Sequence, residues 1–251
     1  MKFFVVFLMA LLTSPALGQS IVDSTGQKVE VKEPKRIVTI AGNVTETVFA
    51  LGMGDKVVAI DASSIYPESA QSLPKVGYYR NINAEGVLSV NPDLIITTDA
   101  AGPPPVLAQL KGAGVPVAIL TSAKTFQAAQ QRIAKIGKLL GKDKEGQALV
   151  AKMGEQIKGV AKAEKAPRIL FIYARGAGMQ NVAGTGTSAD AMITLAGGVN
   201  AVTEYEGYKP MSAEAIIAAA PDYILFTSKG LKSVGGVDAV ANMKGIAQTP
   251  A

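Results

Sequence analysis

The chain has 251 residues, 48% apolar and only 18% charged, which is enough for one large or two modest domains with buried cores and excludes a disordered or fibrous protein. It contains no His and no Cys, so Ser–His and Cys–His nucleophilic pairs, thiolate and imidazole metal sites and disulfides are all excluded. The net charge of +5 is spread along the sequence without the clustered Lys/Arg and interleaved aromatics that nucleic acid calls for, so no nucleic-acid partner is expected.

Lys2, the apolar run from Phe3 to Leu12 and the small-residue site Ala16-Leu17-Gly18 make residues 1–18 a secretory signal peptide. No other segment reaches about 18 uninterrupted apolar residues, so the rest is not expected to be membrane-embedded. No Cys follows the cleavage site to carry a lipid, which favours free residence in a Gram-negative periplasm.

A hairpin-like start from Ile21 to Val31, turning at Thr25-Gly26, precedes a strand at Arg36 to Ile40. Asn43 is the expected cap of a helix through Leu51, ended by Gly52 and Gly54. Lys56 to Asp61 reads as the second strand, followed by a Ser/Pro-rich loop from Ala62 to Pro74 and by Val76-Gly77-Tyr78-Tyr79-Arg80. Then Ala84 to Thr98 reads AEGVLSVNPDLIITT, an acid-led helix, Pro-Asp and a β-rich run. Pro103 to Pro105 open another helix through Gly112, Pro116 to Leu120 is a strand, and Lys124 to Leu140 is helical. Residues 142–165 form an Ala/Lys/Glu/Gln-rich segment with apolar positions near helical spacing, expected as one connecting helix of about 35 Å at 1.5 Å per residue.

Beyond it the pattern returns. Ala213 to Thr227 reads AEAIIAAAPDYILFT, and each copy follows an Arg-Ile strand (Arg36 to Ile40, Arg168 to Ile172) and a helix ending in Leu-Gly or Leu-Ala-Gly-Gly. Strands alternating with helices, written twice, predict an α/β protein of two similar Rossmann-like lobes with parallel sheets, joined by one long helix, with a ligand cleft between them. The lobes are expected at residues 19–141 and 166–251. The second reads as truncated, because its last helix (Val237 to Lys244) leads into GIAQTPA where the first lobe continues to another strand and helix.

Three features could carry chemistry. Glu85 and Glu214 open equivalent helices, where an acidic side chain also simply favours the helix dipole. Gly184 to Ala189 imitates the dinucleotide pattern G-x-G-x-x-A, but the acid that should end the next strand falls in a polar loop, so a glycine turn is expected instead. In Val76 to Arg80, an extended backbone would put Tyr78 and Arg80 on one side and Tyr79 on the other. A phenol beside a guanidinium suits a tyrosinate metal ligand, and Tyr is an axial ligand of ferric haem. A half-buried aromatic with a solvated Arg explains the same residues.

From Arg36 to Ala247 the chain resembles the periplasmic haem-binding proteins of bacterial haem-uptake ABC transporters, substrate-binding proteins whose lobes are joined by a single helix. The likeness rests on RIVTIAGNVTETVFALG, DASSIYP, LPKVGYYRNINAEGVLSVNPDLI, AGPPPVLAQLKGAGVPV, GTGTSADAMITLAGGVNAV and GYKPMSAEAIIAAAPDYIL. It implies a binding protein, not an enzyme, with ferric haem b as transported ligand and Tyr78 as iron ligand supported by Arg80. Tyr79 is a second candidate, and Met179, Tyr208 and Lys229 are candidate pocket residues of the second lobe. Glu85 and Glu214 are implied to dock on an inner-membrane permease that works with an ATPase. A monomer is expected. Cobalamin or a ferric siderophore on the same fold is the alternative ligand, and a carboxylate-dependent periplasmic enzyme the more distant one.

Overall fold

The computed structural model describes residues 19–160, 163–176, 178–210 and 212–251; the signal-peptide assignment lies outside them. Two compact units emerge. The first runs through Thr121 and includes Ala134–Gly146, and the second comprises Ser122–Ile133 and Gln147–Ala251.

The first unit begins with the antiparallel hairpin β1 (Gln19–Val22) and β2 (Lys28–Val31), turning at Gly26 as expected. There follow β3 (Ile37–Thr39), α1 (Gly42–Ala50), β4 (Val57–Ile60), the short strands β5 (Gly77–Tyr78) and β6 (Asn81–Ile82), α2 (Ala84–Leu88), β7 (Leu94–Thr98), α3 (Pro104–Gly112) and β8 (Val117–Leu120). The main sheet has the order β4-β3-β7-β8, all parallel. Its strands β3, β7 and β8 are buried at every position, which is why they are written as unbroken apolar or β-branched runs. Val38, Ile40, Ile95 and Leu110 lie in the core on one side.

Two helices come next, α4 (Phe126–Leu139) and α5 (Asp143–Lys158). The helix expected over 142–165 is therefore shorter than that span. It ends before Gly159, and of the remainder 161 and 162 lie outside the described residues. Both helices straddle the division between units. Residues 122–133, expected in the first lobe, group with the second unit, where Lys124 Nζ donates to the Gly186 carbonyl (3.3 Å).

The second unit contains β9 (Arg168–Ala174), β10 (Gln180–Ala183), α6 (Ser188–Leu195), β11 (Val199–Asn200), β12 (Tyr208–Lys209), α7 (Ala213–Ala219), β13 (Tyr223–Leu225), α8 (Ser228–Ser233) and α9 (Val237–Ala241). Here the expectation of a parallel sheet is corrected. β11 and β13 run parallel to β9, but β10 is antiparallel to both β9 and β12. The connection from β9 to β10 is too short for the crossover that a parallel pair needs. The core of this unit gathers Leu170, Ile172, Val182, Val202 and Ile216.

The repeated phrase has a structural cause. In the first unit the Asp93 carboxylate accepts from the backbone N–H groups of Lys35 and Arg36 (2.8 and 2.9 Å), while the Arg36 guanidinium donates to the carbonyls of Val90 and Asn91. In the second, Asp222 accepts from Arg168 N (2.8 Å), and the Arg168 guanidinium donates to the carbonyls of Ala219 and Ala201. Each Arg thus satisfies at least one carbonyl left open at the end of the acid-led helix or just beyond it, and each Pro-Asp fixes the next strand beside the Arg-Ile strand. The residue before the proline is left-handed in both copies, Asn91 at φ 46° and Ala220 at φ 41°.

Candidate functional site

Tyr78, Tyr79 and Arg80 do not lie together on one extended strand: Tyr78 ends β5, and the other two lie beyond it. β5 and β6 pair with Gly77 opposite Ile82 and Tyr78 opposite Asn81, so Tyr79 and Arg80 form the two-residue turn of a small hairpin. Gly77 makes the entry possible: its φ is +103°, and a Cβ there would stand 3.1 Å from the Asn81 carbonyl oxygen. The alternation argument fails because a two-residue hairpin loop rotates the side chains out of strand register.

The turn still brings the three side chains together. The Arg80 guanidinium sits over the Tyr79 ring (5.2 Å to the centroid), and the Tyr79 ring meets Tyr78 edge-on (4.7 Å between centroids, 69° between planes). Tyr79 is half-buried and packs against the core, whereas Tyr78 is 48% exposed. Backbone bonds strap the hairpin from two sides. Ala62 N donates to the Gly77 carbonyl (2.7 Å), Gly102 N to the Tyr79 carbonyl (2.9 Å) and Ile82 N to the Gly102 carbonyl (2.9 Å). These straps come from the loops at the carboxyl ends of β4 and β7, the edge of a parallel α/β sheet where ligands bind.

Glu85 follows at once, exposed in the first turn of α2, whose cap Asn83 accepts from Glu85 N and Gly86 N. Glu214 occupies the same place in α7, after the cap Ser212. Its own backbone N–H and the Ser212 side chain hold its carboxyl below the usual range. Neither helix is long, and both carboxylates face solvent.

In the second unit Tyr208 is 40% exposed and joins a group that sequence reasoning missed. Its ring lies 5.9 Å from Tyr173 and 6.4 Å from Phe171, and the Arg175 guanidinium sits 5.6 Å from the Tyr173 centroid. The available signal was period two along β9, where Leu170, Ile172 and Ala174 are buried while Phe171 and Tyr173 share the other face. Met179, 45% exposed, closes the turn after β9, its carbonyl accepting from Arg175 N (2.9 Å). Lys229 is exposed in α8. Tyr205 is a different kind of tyrosine: its hydroxyl donates to the Val182 carbonyl (3.1 Å), and burial, then Glu204, push the phenol up. The glycine segment before α6 is a helix cap, with Thr187 accepting from Asp190 N and Asp190 accepting from Gly186 N. Among the described residues no three acidic side chains come together as ligands for a bare metal ion.

The sequence profile of the periplasmic binding protein family matches residues 37–251. The chain belongs to that family. It is similar to the periplasmic heme-binding protein RhuT from Roseiflexus sp. RS-1 in apo form, at 45% identity and a TM-score of 0.80, covering 86% of this chain and 85% of that one. The uncharacterized ABC transporter substrate-binding lipoprotein YvrC of Bacillus subtilis (strain 168) is 31% identical over 219 residues, 84% of this chain and 69% of the relative. The vitamin B12-binding protein of Vibrio campbellii (strain ATCC BAA-1116) is 28% identical over 206 residues, 81% of this chain and 74% of the relative. The family and these relatives are binding proteins, as the sequence resemblance implied, and not enzymes. Among the described residues no helix is long and apolar enough to cross a membrane.

Proposed function

We propose that this chain is exported by cleavage of residues 1–18, captures ferric haem b in the periplasm through the phenolate of Tyr78, and delivers it to an inner-membrane ABC permease and its ATPase. The observation that carries the reading is the exposed Tyr78 phenol at the head of the Arg80–Tyr79–Tyr78 stack, in a chain 45% identical to a heme-binding protein. A free phenol ionises near pH 10; ferric iron and a guanidinium nearby both favour the phenolate. Tyr79 is the weaker ligand candidate because its ring packs against the core. Arg80 supports the charge, and Met179, Tyr208 and Lys229 are further candidate haem contacts in this reading.

Glu85 and Glu214 are the docking residues of this proposal. Each carboxylate stands exposed at the same position of an equivalent helix, where an arginine of a permease could reach it. The protein acts as a monomer in this scheme. A second reading, cobalamin as the ligand, is favoured by the vitamin B12-binding relative and needs no phenolate.

The test is a hemin titration of the signal-free protein followed in the Soret and charge-transfer bands, with cobalamin titrated in parallel. Wild type gives saturable high-spin binding. Tyr78→Ala weakens it by about 100-fold or more, since losing even an outer-shell partner of a metal ligand costs 10–100-fold. Retained hemin affinity in Tyr78→Ala sinks the Tyr78 assignment, and saturation by cobalamin but not by hemin sinks the haem reading. The double variant Glu85→Ala/Glu214→Ala keeps hemin affinity and loses stimulation of the reconstituted permease ATPase; unchanged stimulation removes the docking assignment.

A further inference from the structure

Asp61 directly follows β4 with its side chain fully buried, and no part of the ligand reading uses it. Its Oδ1 accepts from Ala41 N (2.9 Å) and Ser64 Oγ (2.5 Å), and its Oδ2 from Ser63 N (2.8 Å) and the Ser63 hydroxyl. All four donors are neutral. The network continues through hydroxyls, because Ser64 Oγ lies 2.8 Å from Thr45 Oγ1, which lies 2.8 Å from Thr39 Oγ1. With the Ser64 hydroxyl donating to the carboxylate, Thr45 is left to donate to Ser64 and Thr39 to Thr45, so the chain of donors points toward Asp61. One carboxylate therefore ties the end of β3, the start of α1 and the loop after β4.

That loop is the one that straps the Tyr78 hairpin. Between Asp61 and the two serines it holds stands Ala62, whose N–H reaches the Gly77 carbonyl at 2.7 Å, one residue before Tyr78. The opposite strap, at Gly102, comes from the separate loop after β7. Buried hydrogen bonds to a charged group are among the stronger ones, and leaving one unsatisfied costs more than its net contribution. A cluster of them spent on a surface loop fixes that loop's backbone. We infer that Asp61 is the positioning residue of the Tyr78 hairpin: it holds the turn that presents Ala62 N to Gly77 and so sets where the phenol stands. The inference rests on the reading that Tyr78 bears the ligand, but its backbone part is measurable without any ligand.

Hydrogen exchange of the apo protein is compared for Asp61→Ala, Asp61→Asn and wild type. The expected result is a loss of protection over residues 76–83 of about tenfold, in excess of any change over 94–98 and 117–120, as for local opening on loss of about one net hydrogen bond. Protection unchanged over 76–83, or falling equally in all three segments, overturns the inference, since a merely structural carboxylate would loosen the whole unit. If Asp61→Ala does not fold, Asp61→Asn, which keeps the volume, decides on the same segments. Hemin dissociation is then timed in the variants that fold: faster release with the Soret position displaced supports positioning, and wild-type release from a loosened hairpin overturns it. If wild type itself takes no hemin, the haem reading fails, and the exchange comparison still decides the role of Asp61.

Discussion

β7 and β13 are the strands of the two copies of the acid-led helix and Pro-Asp phrase, and they finish in different surroundings. β7 lies between β3 and β8 with all five residues buried. β13 pairs only with β9 among the described residues; Ile224 packs on the core while Tyr223 is 63% and Leu225 46% exposed. Ile169 and Phe171, the partners of Tyr223 and Leu225 in β9, are half-buried on that same face. The phrase and the Arg–Asp clamp around it specify helix, turn and strand in both units. Burial is decided by what comes to lie beside the strand, which is β8 in one unit and, among the described residues, no further strand in the other.

The largest test of that difference removes one side chain from each strand. Ile95→Ala, at a fully buried position of β7, is expected to cost about 2–5 kcal/mol. Leu225→Ala removes a side chain already half in water and is expected to cost about 1 kcal/mol or less. Urea midpoints measure both. Equal losses would mean that β13 is covered in solution as thoroughly as β7.

The same contrast explains what could be read in advance. Order and type of the main elements of the first unit follow from runs such as LIITT and from Pro and Gly punctuation, and the clamp residues Arg36, Asp93, Arg168 and Asp222 stand out because they recur at equivalent places. Long-range partners are not written locally. Asn43 was the expected cap of α1, but the helix starts at Gly42 behind Ala41, and Asp61, twenty residues away, accepts the Ala41 N–H instead. The hairpin at Tyr78 was missed because only the register with Asn81 and Ile82 reveals that Tyr79 and Arg80 are its turn. The grouping of 122–133 with the second unit, and the antiparallel β10, likewise depend on packing and connection length. Tyr78, Tyr79 and Arg80 do come together, whereas the Phe171–Tyr173–Tyr208 group needed the pairing of three strands to become visible.

The clamps themselves should differ in the same sense as the strands, though by less. Asp93 accepts two backbone bonds and Asp222 one. At about 0.5–1.5 kcal/mol net for each bond, Asp93→Ala is expected to cost about twice as much as Asp222→Ala. Denaturation of the two variants, with Arg36 and Arg168 left intact, gives the ratio. A larger loss from Asp222→Ala would show that the second unit leans on its clamp because it has less packing to rely on.

The smallest expected effect concerns a support of the first unit. The β1–β2 hairpin is fastened to β8 where Ser24 N donates to the Ile119 carbonyl (2.7 Å), and the buried Asp23 carboxylate organises its turn by accepting from Thr25 N (2.8 Å), Thr25 Oγ1 (2.6 Å) and Gln27 N (3.1 Å). Burial pushes this carboxyl up, but the Thr25 hydroxyl and the N–H groups of Gln27, Thr25 and Ile119 together outweigh it and hold the carboxyl below its ordinary value. A folded pKa below the unfolded one, about 3.9, means that the unfolded chain binds the proton more tightly. The stabilisation is therefore complete above the unfolded value and fades as pH falls through the folded one. Asp23→Asn should be less stable than wild type at neutral pH, with the gap in urea midpoint closing as pH is lowered below about 4. A gap constant down to acid pH would assign the loss to packing of the hairpin and not to the charge that organises its turn.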